Sequence, residues 1–392
     1  MTTDLVTGAS GFIGKNLCAR LEQEKDVEIL RFGRTNTGEE LEEMIKKSDF
    51  IFHLAGVNRP ERESEFDEIN RGLTSSLLAA LEATGKHVPI LLTSSIQAEL
   101  DNPYGRSKRA AECELLEWAK KTGSEAYIYR LPNVFGKWSR PNYNSVVATF
   151  CHNIANDLDI TINDPSAELT LVYIDDLVDE FVKTARDGHL LSPDGFCHVP
   201  RDFTITLRAL VDQLKDFHNI RRGSLVPSFE CPLTRFLYAT YVSYLGGDDF
   251  GYGLEMKHDG RGWLAEVIKS RQFGQIFVSR THPGISRGNH WHDTKIEKFL
   301  VLEGIAEIRL RNLYGQDILT YKVSGDDLMV VDMPAGYTHS ITNMGKTDLL
   351  TIFWADEPFD PEHPDTYFQE VLDEPTESND DLRNAARDNS AR

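Results

Sequence analysis

The sequence predicts an α/β domain built on a parallel sheet, followed by an all-β barrel or jelly-roll domain. Three observations carry this. At 392 residues the chain is too long for a single core of ordinary size and implies about two or three domains. Through about residue 180, short β-rich apolar runs alternate with amphipathic helical stretches, as they do when helices cover a parallel sheet. After about Tyr252 the pattern changes to short strands separated by Gly, Pro, Asn and Asp turns.

Taken in order, the first strand, Asp4 to Thr7, runs into Gly8-Ala9-Ser10-Gly11-Phe12-Ile13-Gly14, with a helix expected from about Lys15. Glycines at this spacing allow a tight turn, let backbone N–H groups approach a pyrophosphate and keep helix and strand close. The second strand, Glu28 to Phe32, ends in Arg31-Phe32-Gly33-Arg34. A carboxylate there would bind a ribose 2′-hydroxyl, whereas arginine accepts a 2′-phosphate, so NADPH is favoured, through Arg34 with Arg31 as a second candidate. Strands follow at Asp49 to Leu54, Ile90 to Thr93 and Ala126 to Arg130. Phe203 to Tyr244 reads as helical, with Leu207, Leu210, Val211 and Leu214 on one face, and closes a first domain expected over residues 1–245. A β domain is expected over 252–372, with strands near Ile276 to Ser279, Lys298 to Leu302, Ala306 to Leu310 and Leu328 to Val331. Ala355 to Arg392 holds 12 acidic and 3 basic side chains, and 373–392 reads as a solvated, disordered acidic tail.

Composition narrows the function. A formal charge of −20 argues against a general nucleic-acid or anionic-membrane binder, which needs a basic footprint. The five cysteines are scattered without metal-ligand spacing and read as reduced thiols. No signal-peptide pattern and no apolar run of about 18 residues is present, so a cytoplasmic protein without membrane insertion is expected.

The glycine turn, His53-Leu54-Ala55-Gly56, Thr93-Ser94-Ser95 and the YxxxK run Tyr104-Gly105-Arg106-Ser107-Lys108 resemble, in order, the motifs of extended short-chain dehydrogenases/reductases with a Rossmann-type fold. The resemblance assigns cofactor contacts to Gly8, Gly11, Phe12, Ile13, Gly14, Leu54, Ala55 and Gly56. Tyr104 becomes the proton donor to a carbonyl oxygen that receives hydride on its carbon, and Ser95, or Ser94 in its place, hydrogen-bonds that oxygen. Residues four apart share a helix face, so Lys108 can keep the tyrosine's surroundings positive and, with a nicotinamide ribose, lower its pKa from near 10. Arg130 to Gly136, which includes Asn133, and Val172 to Leu177 resemble segments of the nucleotide-sugar branch of that family.

Gly284, His290, His292, Glu297 and Gly304, with Pro334-Ala335-Gly336-Tyr337-Thr338-His339 and Asn343, resemble the two cupin motifs. Strand residues two apart face one side, so His290 and His292 project together, and Glu297 and His339 complete a set suited to Zn²⁺, Fe²⁺ or Mn²⁺. Asp259 to Gly262 and Pro283 to His290 are also similar to nucleotide-sugar 3,5-epimerases, in which the RGxH histidine is a base. An imidazole bound to metal cannot accept a proton, so His290 is either ligand or base. Arg287 and Lys295 are candidate substrate contacts, and Lys295 or Tyr337 a substitute base.

As a whole, about residues 4 to 372 resemble the CapF family of bifunctional capsular-polysaccharide enzymes. The resemblance implies C-3 epimerisation of a UDP-linked 2-acetamido-2,6-dideoxy-4-hexulose in a zinc-binding cupin, NADPH-dependent reduction of its 4-ketone, and a homodimer. Two other readings compete: a reductase whose cupin only binds or dimerises, and a cofactor-holding redox sensor joined to a binding cupin.

Overall fold

The computed structural model describes residues 1–372 except 190, 191 and 193; the expected acidic tail, 373–392, lies outside the described residues. The chain divides into two compact units, Met1–Asn219 with Phe229–Phe250, and Ile220–Ser228 with the described residues from Gly251 onward.

The first unit contains β1 (Thr2–Thr7), α1 (Phe12–Leu21), β2 (Val27–Phe32), α2 (Gly38–Lys47), β3 (Phe50–His53), α3 (Gly72–Thr84), β4 (Ile90–Ser95), α4 (Pro103–Thr122) and β5 (Ala126–Leu131). It continues with β6 (Asn133–Phe135), α5 (Val146–Ala155), β7 (Glu168–Tyr173), α6 (Ile174–Asp187), β8 (Phe203–Thr206), α7 (Leu207–Gly223) and α8 (Pro232–Val242). The main sheet is parallel in the order β2-β1-β3-β4-β5. Its strands read as apolar runs because helices cover them: Leu5, Ile51, Leu92 and Ile128 pack with Leu77, Leu81, Leu115 and Trp118. The order reverses direction between β1 and β3, which opens a crevice at their carboxyl ends.

Helix α1 starts at Phe12, three residues earlier than expected, because Gly11 already serves as its N-cap and its carbonyl accepts Lys15 N–H at 2.9 Å. Helix α4 is fixed by local chemistry at both ends: the Asn102 side chain accepts Gly105 N–H at 2.7 Å, Pro103 occupies the first turn, and Gly123 ends the helix at φ 76°. The stretch from Phe203 is not helical throughout. Its β-branched start, Phe203–Thr206, pairs antiparallel with β7 in a small sheet ordered β6-β7-β8.

The second unit contains β9 (Met256–Asp259), β10 (Gly262–Ser270), β11 (Gly274–Thr281), β12 (Ser286–Trp291), β13 (Glu297–Glu303), β14 (Ile305–Asn312), β15 (Ile318–Ser324), β16 (Val330–Met333), β17 (Tyr337–Asn343), β18 (Leu349–Ala355) and β19 (Tyr367–Phe368). They form two antiparallel sheets, β16-β13-β18-β11-β10-β9 and β15-β14-β17-β12-β19. Phe299, Val301 and Phe353 of one sheet share a core with Ile308, Leu310 and Ile341 of the other. Ile220–Ser228, expected inside the first domain, groups here because Ser224–Val226 pairs beside β10: Val226 N–H donates to Lys269 O at 2.8 Å and Lys269 N–H to Ser224 O at 2.7 Å. Among the described residues no helix is long and apolar enough to cross a membrane.

Candidate functional site

In the first unit a cleft of about 530 Å³ lies at the carboxyl ends of β1, β3 and β4. The glycine turn forms its floor. Gly8 sits at φ 71° with Ala55 N only 2.8 Å from where a Cβ would be, and a Cβ on Gly14 would stand 2.2 Å from Gly8 O. Both positions therefore exclude any side chain, which leaves the start of α1 bare for a phosphate group. Gly11, Phe12, Ile13, Arg34, Leu54, Gly56 and Asn133 line the same cleft. Ala55 is not among the lining residues; it supports the turn from behind, donating its N–H to Thr7 Oγ1 at 3.3 Å. Arg31 is absent from the lining as well and is engaged by Glu22 at 2.5 Å, whereas Arg34 lines the cleft.

His53 fixes the end of β3 from within. Thr74 Oγ1 donates to Asn70 O at 3.0 Å and so accepts His53 Nε2–H at 3.0 Å, while Thr7 Oγ1 donates to His53 Nδ1 at 2.8 Å. Burial, with Lys108 nearby, lowers His53 to about 3, and the ring is a neutral structural link.

Tyr104, Lys108 and Ser95 meet in the cleft. Lys108 Nζ donates to Thr93 O at 3.0 Å, and burial lowers its pKa to about 8 against an opposing pull from Glu112. Tyr104 stands above its ordinary value rather than below it: burial of the phenol raises it, and only the Ser95 hydroxyl lowers it. The expected lowering by Lys108 is not among these causes in the cofactor-free protein. The two serines separate clearly. Ser95 is beside Tyr104, whereas Ser94 Oγ donates to the carboxylate of buried Glu112. Arg130 clamps that carboxylate through Nε at 3.0 Å and Nη2 at 2.7 Å.

Several contributors are not visible in the motifs. Asn70, in a π-helical turn at Phe66–Arg71, accepts Val57 N–H at 2.8 Å and donates to Val57 O and Ser107 Oγ at 3.0 Å each, tying the segment after β3 to α4. Trp138, Arg140 and Tyr143 also line the cleft. Trp138 adopts φ 70°, a left-handed conformation rare for a bulky residue. The Gly-, Pro- and Asn-rich run 136–145 was the available signal for a functional loop here.

In the second unit His290, His292, Glu297 and His339 converge, with one ligand atom from each lying within 4.8 Å of the others. A bulge in β12 at Asn289, φ 56°, brings His290 opposite His339. Nε2 of His292 and Nε2 of His339 each stand 3.4 Å from Glu297 Oε2, yet both nitrogens are buried without a hydrogen-bond partner. Unpartnered buried nitrogens around a buried carboxylate fit a cation site. Burial, then the neighbouring His339, lowers His290 to about 4, so its ring is neutral near pH 7. Lys295 is buried with Nζ donating to Pro364 O at 2.8 Å, which fits neither a free substrate contact nor a free base. Tyr337 packs against the apolar core. Arg287 is held by Thr281 Oγ1 at 2.9 Å and faces Asp259 at 4.0 Å.

Residues 5–191 match the NAD dependent epimerase/dehydratase family and residues 257–367 the polysaccharide biosynthesis C-terminal domain. The UDP-2-acetamido-2,6-beta-L-arabino-hexul-4-ose reductase of Pseudomonas aeruginosa is 47% identical over 363 residues, covering 93% of this chain and 97% of that protein. The crystal structure of the capsular polysaccharide assembling protein CapF from Staphylococcus aureus superposes with a TM-score of 0.87 at 48% identity, covering 94% of this chain and 99% of that one.

The chain belongs to the CapF family. The CapF likeness spans both units, whereas the likeness to Thermus thermophilus UDP-glucose 4-epimerase in complex with NAD covers 63% of this chain at 18% identity and a TM-score of 0.53, and shows the fold alone. The first unit of this CapF-family chain is accordingly a Rossmann-type extended short-chain dehydrogenase/reductase domain of NAD(P)H-dependent reductase type, and the second is β-rich.

Proposed function

We propose that the protein is a bifunctional nucleotide-sugar enzyme. The second unit, read as a cupin over about 252–372, epimerises C-3 of a UDP-2-acetamido-2,6-dideoxy-4-hexulose. The first, read as 1–245, reduces the 4-ketone to UDP-2-acetamido-2,6-dideoxy-L-talose, toward N-acetyl-L-fucosamine in capsular or O-antigen polysaccharide. What carries the reductase reading is the meeting of Ser95, Tyr104 and Lys108 above a side-chain-free glycine turn. Kinship with the Pseudomonas reductase and the Staphylococcus CapF supports the substrate class; a homodimer and a cytoplasmic site of action belong to the same reading.

Bound NADPH supplies the hydride. Gly8, Gly11 and Gly14, which line the cleft, would admit its pyrophosphate, and Arg34 would meet its 2′-phosphate. Tyr104 transfers its phenolic proton to the ketone oxygen as the carbonyl carbon is reduced, and Ser95 hydrogen-bonds the same oxygen. Lys108, fixed by Thr93 O, places positive charge beside the phenolate that results.

For epimerisation, the 4-ketone acidifies the C-3 hydrogen, and the site must remove that proton, steady the enolate and return a proton to the other face. His290, His292, Glu297 and His339 would hold a divalent metal, zinc in this reading, whose Lewis acidity suits an enolate oxygen. His290 is read as a ligand, since it faces the same point as the other three; its alternative role is the base.

Solvent-deuterium incorporation at C-3 of the keto sugar, with NADPH omitted, tests the pair of activities. Exchange without cofactor, followed by reduction only when NADPH is added, is the expected result. NADPH oxidation with no exchange at C-3 would make the chain a single-activity reductase whose β unit only binds or dimerises.

A further inference from the structure

The C-terminal segment Pro364–Val371 touches β12, which carries His290, β17, which carries His339, and the turn after β12 that begins at His292. At its start, one carboxylate organises a whole turn. Asp365 accepts the consecutive backbone N–H groups of Asp293, Thr294 and Lys295 at 2.9, 3.0 and 2.8 Å, and the Thr294 hydroxyl at 3.2 Å. Those three residues lead from His292 toward Glu297. The carbonyl of the same Asp365 accepts Nδ1–H of His292 at 2.5 Å. Because Nδ1 carries the proton, the lone pair of His292 is on Nε2, the nitrogen that faces Glu297. Asp365 does both from φ 38°, a left-handed conformation that aspartate tolerates better than most residues.

The rest of the segment is tied down on the same strands. Tyr367 stacks on Trp291 with ring centroids 4.6 Å apart, and Tyr367–Phe368 pairs with His290–Trp291. Gln369 N–H donates to Asn289 O at 2.9 Å, at the bulge that aims His290. Thr338 Oγ1, adjacent to His339, donates to Gln369 O at 2.6 Å, and buried Arg311 donates to Glu370 O and Val371 O at 2.9 Å each. The orientation of the His292 ring and the path of the loop after it thus depend on a residue 73 positions later.

We propose that Asp365 is a positioning residue for a divalent metal held by His290, His292, Glu297 and His339, and that Pro364–Val371 becomes more firmly ordered as that metal binds. The inference rests on the metal-centre reading above. Partners of this kind, which fix the far nitrogen of a ligating histidine, change metal affinity by about 10- to 100-fold when removed. Coupling between metal and segment is reciprocal, so a segment that strengthens binding must itself be protected by it.

The test uses the full-length protein, with zinc affinity measured by competition against a chromophoric chelator. Asp365→Ala removes every side-chain acceptor that holds the 293–295 turn and disfavours φ 38°, so the carbonyl is no longer held against His292, and zinc binding is expected to weaken by about 10- to 100-fold. Its thermal midpoint in the presence of chelator, compared with chelated wild type, establishes that the variant is folded. A second measurement needs no variant: amide hydrogen exchange in 364–371 and 292–296 of the wild type should slow when zinc is added. Wild-type affinity in a folded Asp365→Ala protein, or exchange in 364–371 that ignores zinc, would overturn the proposal. A wild type that takes up no zinc overturns it together with the metal-centre reading.

Discussion

Replacing Lys108 with methionine should make the first unit more stable and enzymatically poor. In the folded protein burial lowers the lysine from its ordinary 10.5 to about 8. The sign follows from proton counting. Below about pH 8 both folded and unfolded chains carry the charge, and the folded chain bears the full cost of burying it. Between about 8 and 10.5 the unfolded chain binds a proton that the folded chain lacks, so stability from this site rises with pH. At 1.36 kcal/mol per pKa unit the cost near pH 7 is about 3 kcal/mol, a ceiling because the half-buried side chain retains contact with cleft water. Methionine removes that cost and gives up the bond to Thr93 O, worth about 1 kcal/mol. The net gain is about 2 kcal/mol near pH 7, or about 4–8 °C for a domain of this size. It should vanish by about pH 9.5, where the remaining burial cost no longer exceeds the lost hydrogen bond. Scanning fluorimetry of cofactor-free protein, variant against wild type at each pH, reads this directly. A variant less stable than wild type at pH 7, or a gain that does not shrink with pH, would refute the reasoning.

Two further substitutions separate residues that the sequence leaves equivalent. Ser95→Ala should lower kcat for ketone reduction by about 10²-fold or more, as loss of a donor to a developing oxyanion does. Ser94→Ala should leave kcat within a few-fold and instead lower the thermal midpoint, because Ser94 serves the Glu112–Arg130 network; steady-state kinetics on both variants decides this. Arg34→Ala should raise the KM for NADPH about tenfold or more, the worth of a charge-assisted hydrogen bond, and leave that for NADH unchanged. Equal effects on both cofactors would remove Arg34 from the 2′-phosphate.

What the sequence revealed is what short-range spacing controls. The glycine turn, the YxxxK face and the His-x-His pair are set within a few residues by strand and helix periods, and the structure places all three as that periodicity requires. Choosing between Ser94 and Ser95 needed partners distant in sequence, since the Glu112 carboxylate, 18 residues on, takes Ser94 while Ser95 stands beside Tyr104. Arg31, the second candidate after Arg34, is set aside only by Glu22, nine residues earlier, which engages it. Ser224–Val226 joins the second unit through backbone pairing with Lys269, which leaves no side-chain signature. Asn70 and Asp365 act through bonds to distant segments, and local spacing assigns neither of them a role.

Both sites hold their functional nitrogen by the same means. Lys108 Nζ is fixed by the Thr93 carbonyl and His292 Nδ1 by the Asp365 carbonyl, so each group is aimed by backbone rather than by another side chain. A backbone acceptor cannot change rotamer, and it carries no net charge to compete with a phosphate or a metal. The difference lies in where the carbonyl comes from. Thr93 is in the strand that also delivers Ser95, so the meeting of Ser95, Tyr104 and Lys108 is completed as soon as β4 meets α4. Asp365 comes from outside the strands that bear His290, Glu297 and His339, so the geometry of the second site is complete only when the C-terminal segment has docked. A perturbation of residues 364–371 should therefore reach the four-residue centre while leaving β12, β13 and β17 paired, a separation between fold and site that the first unit does not permit.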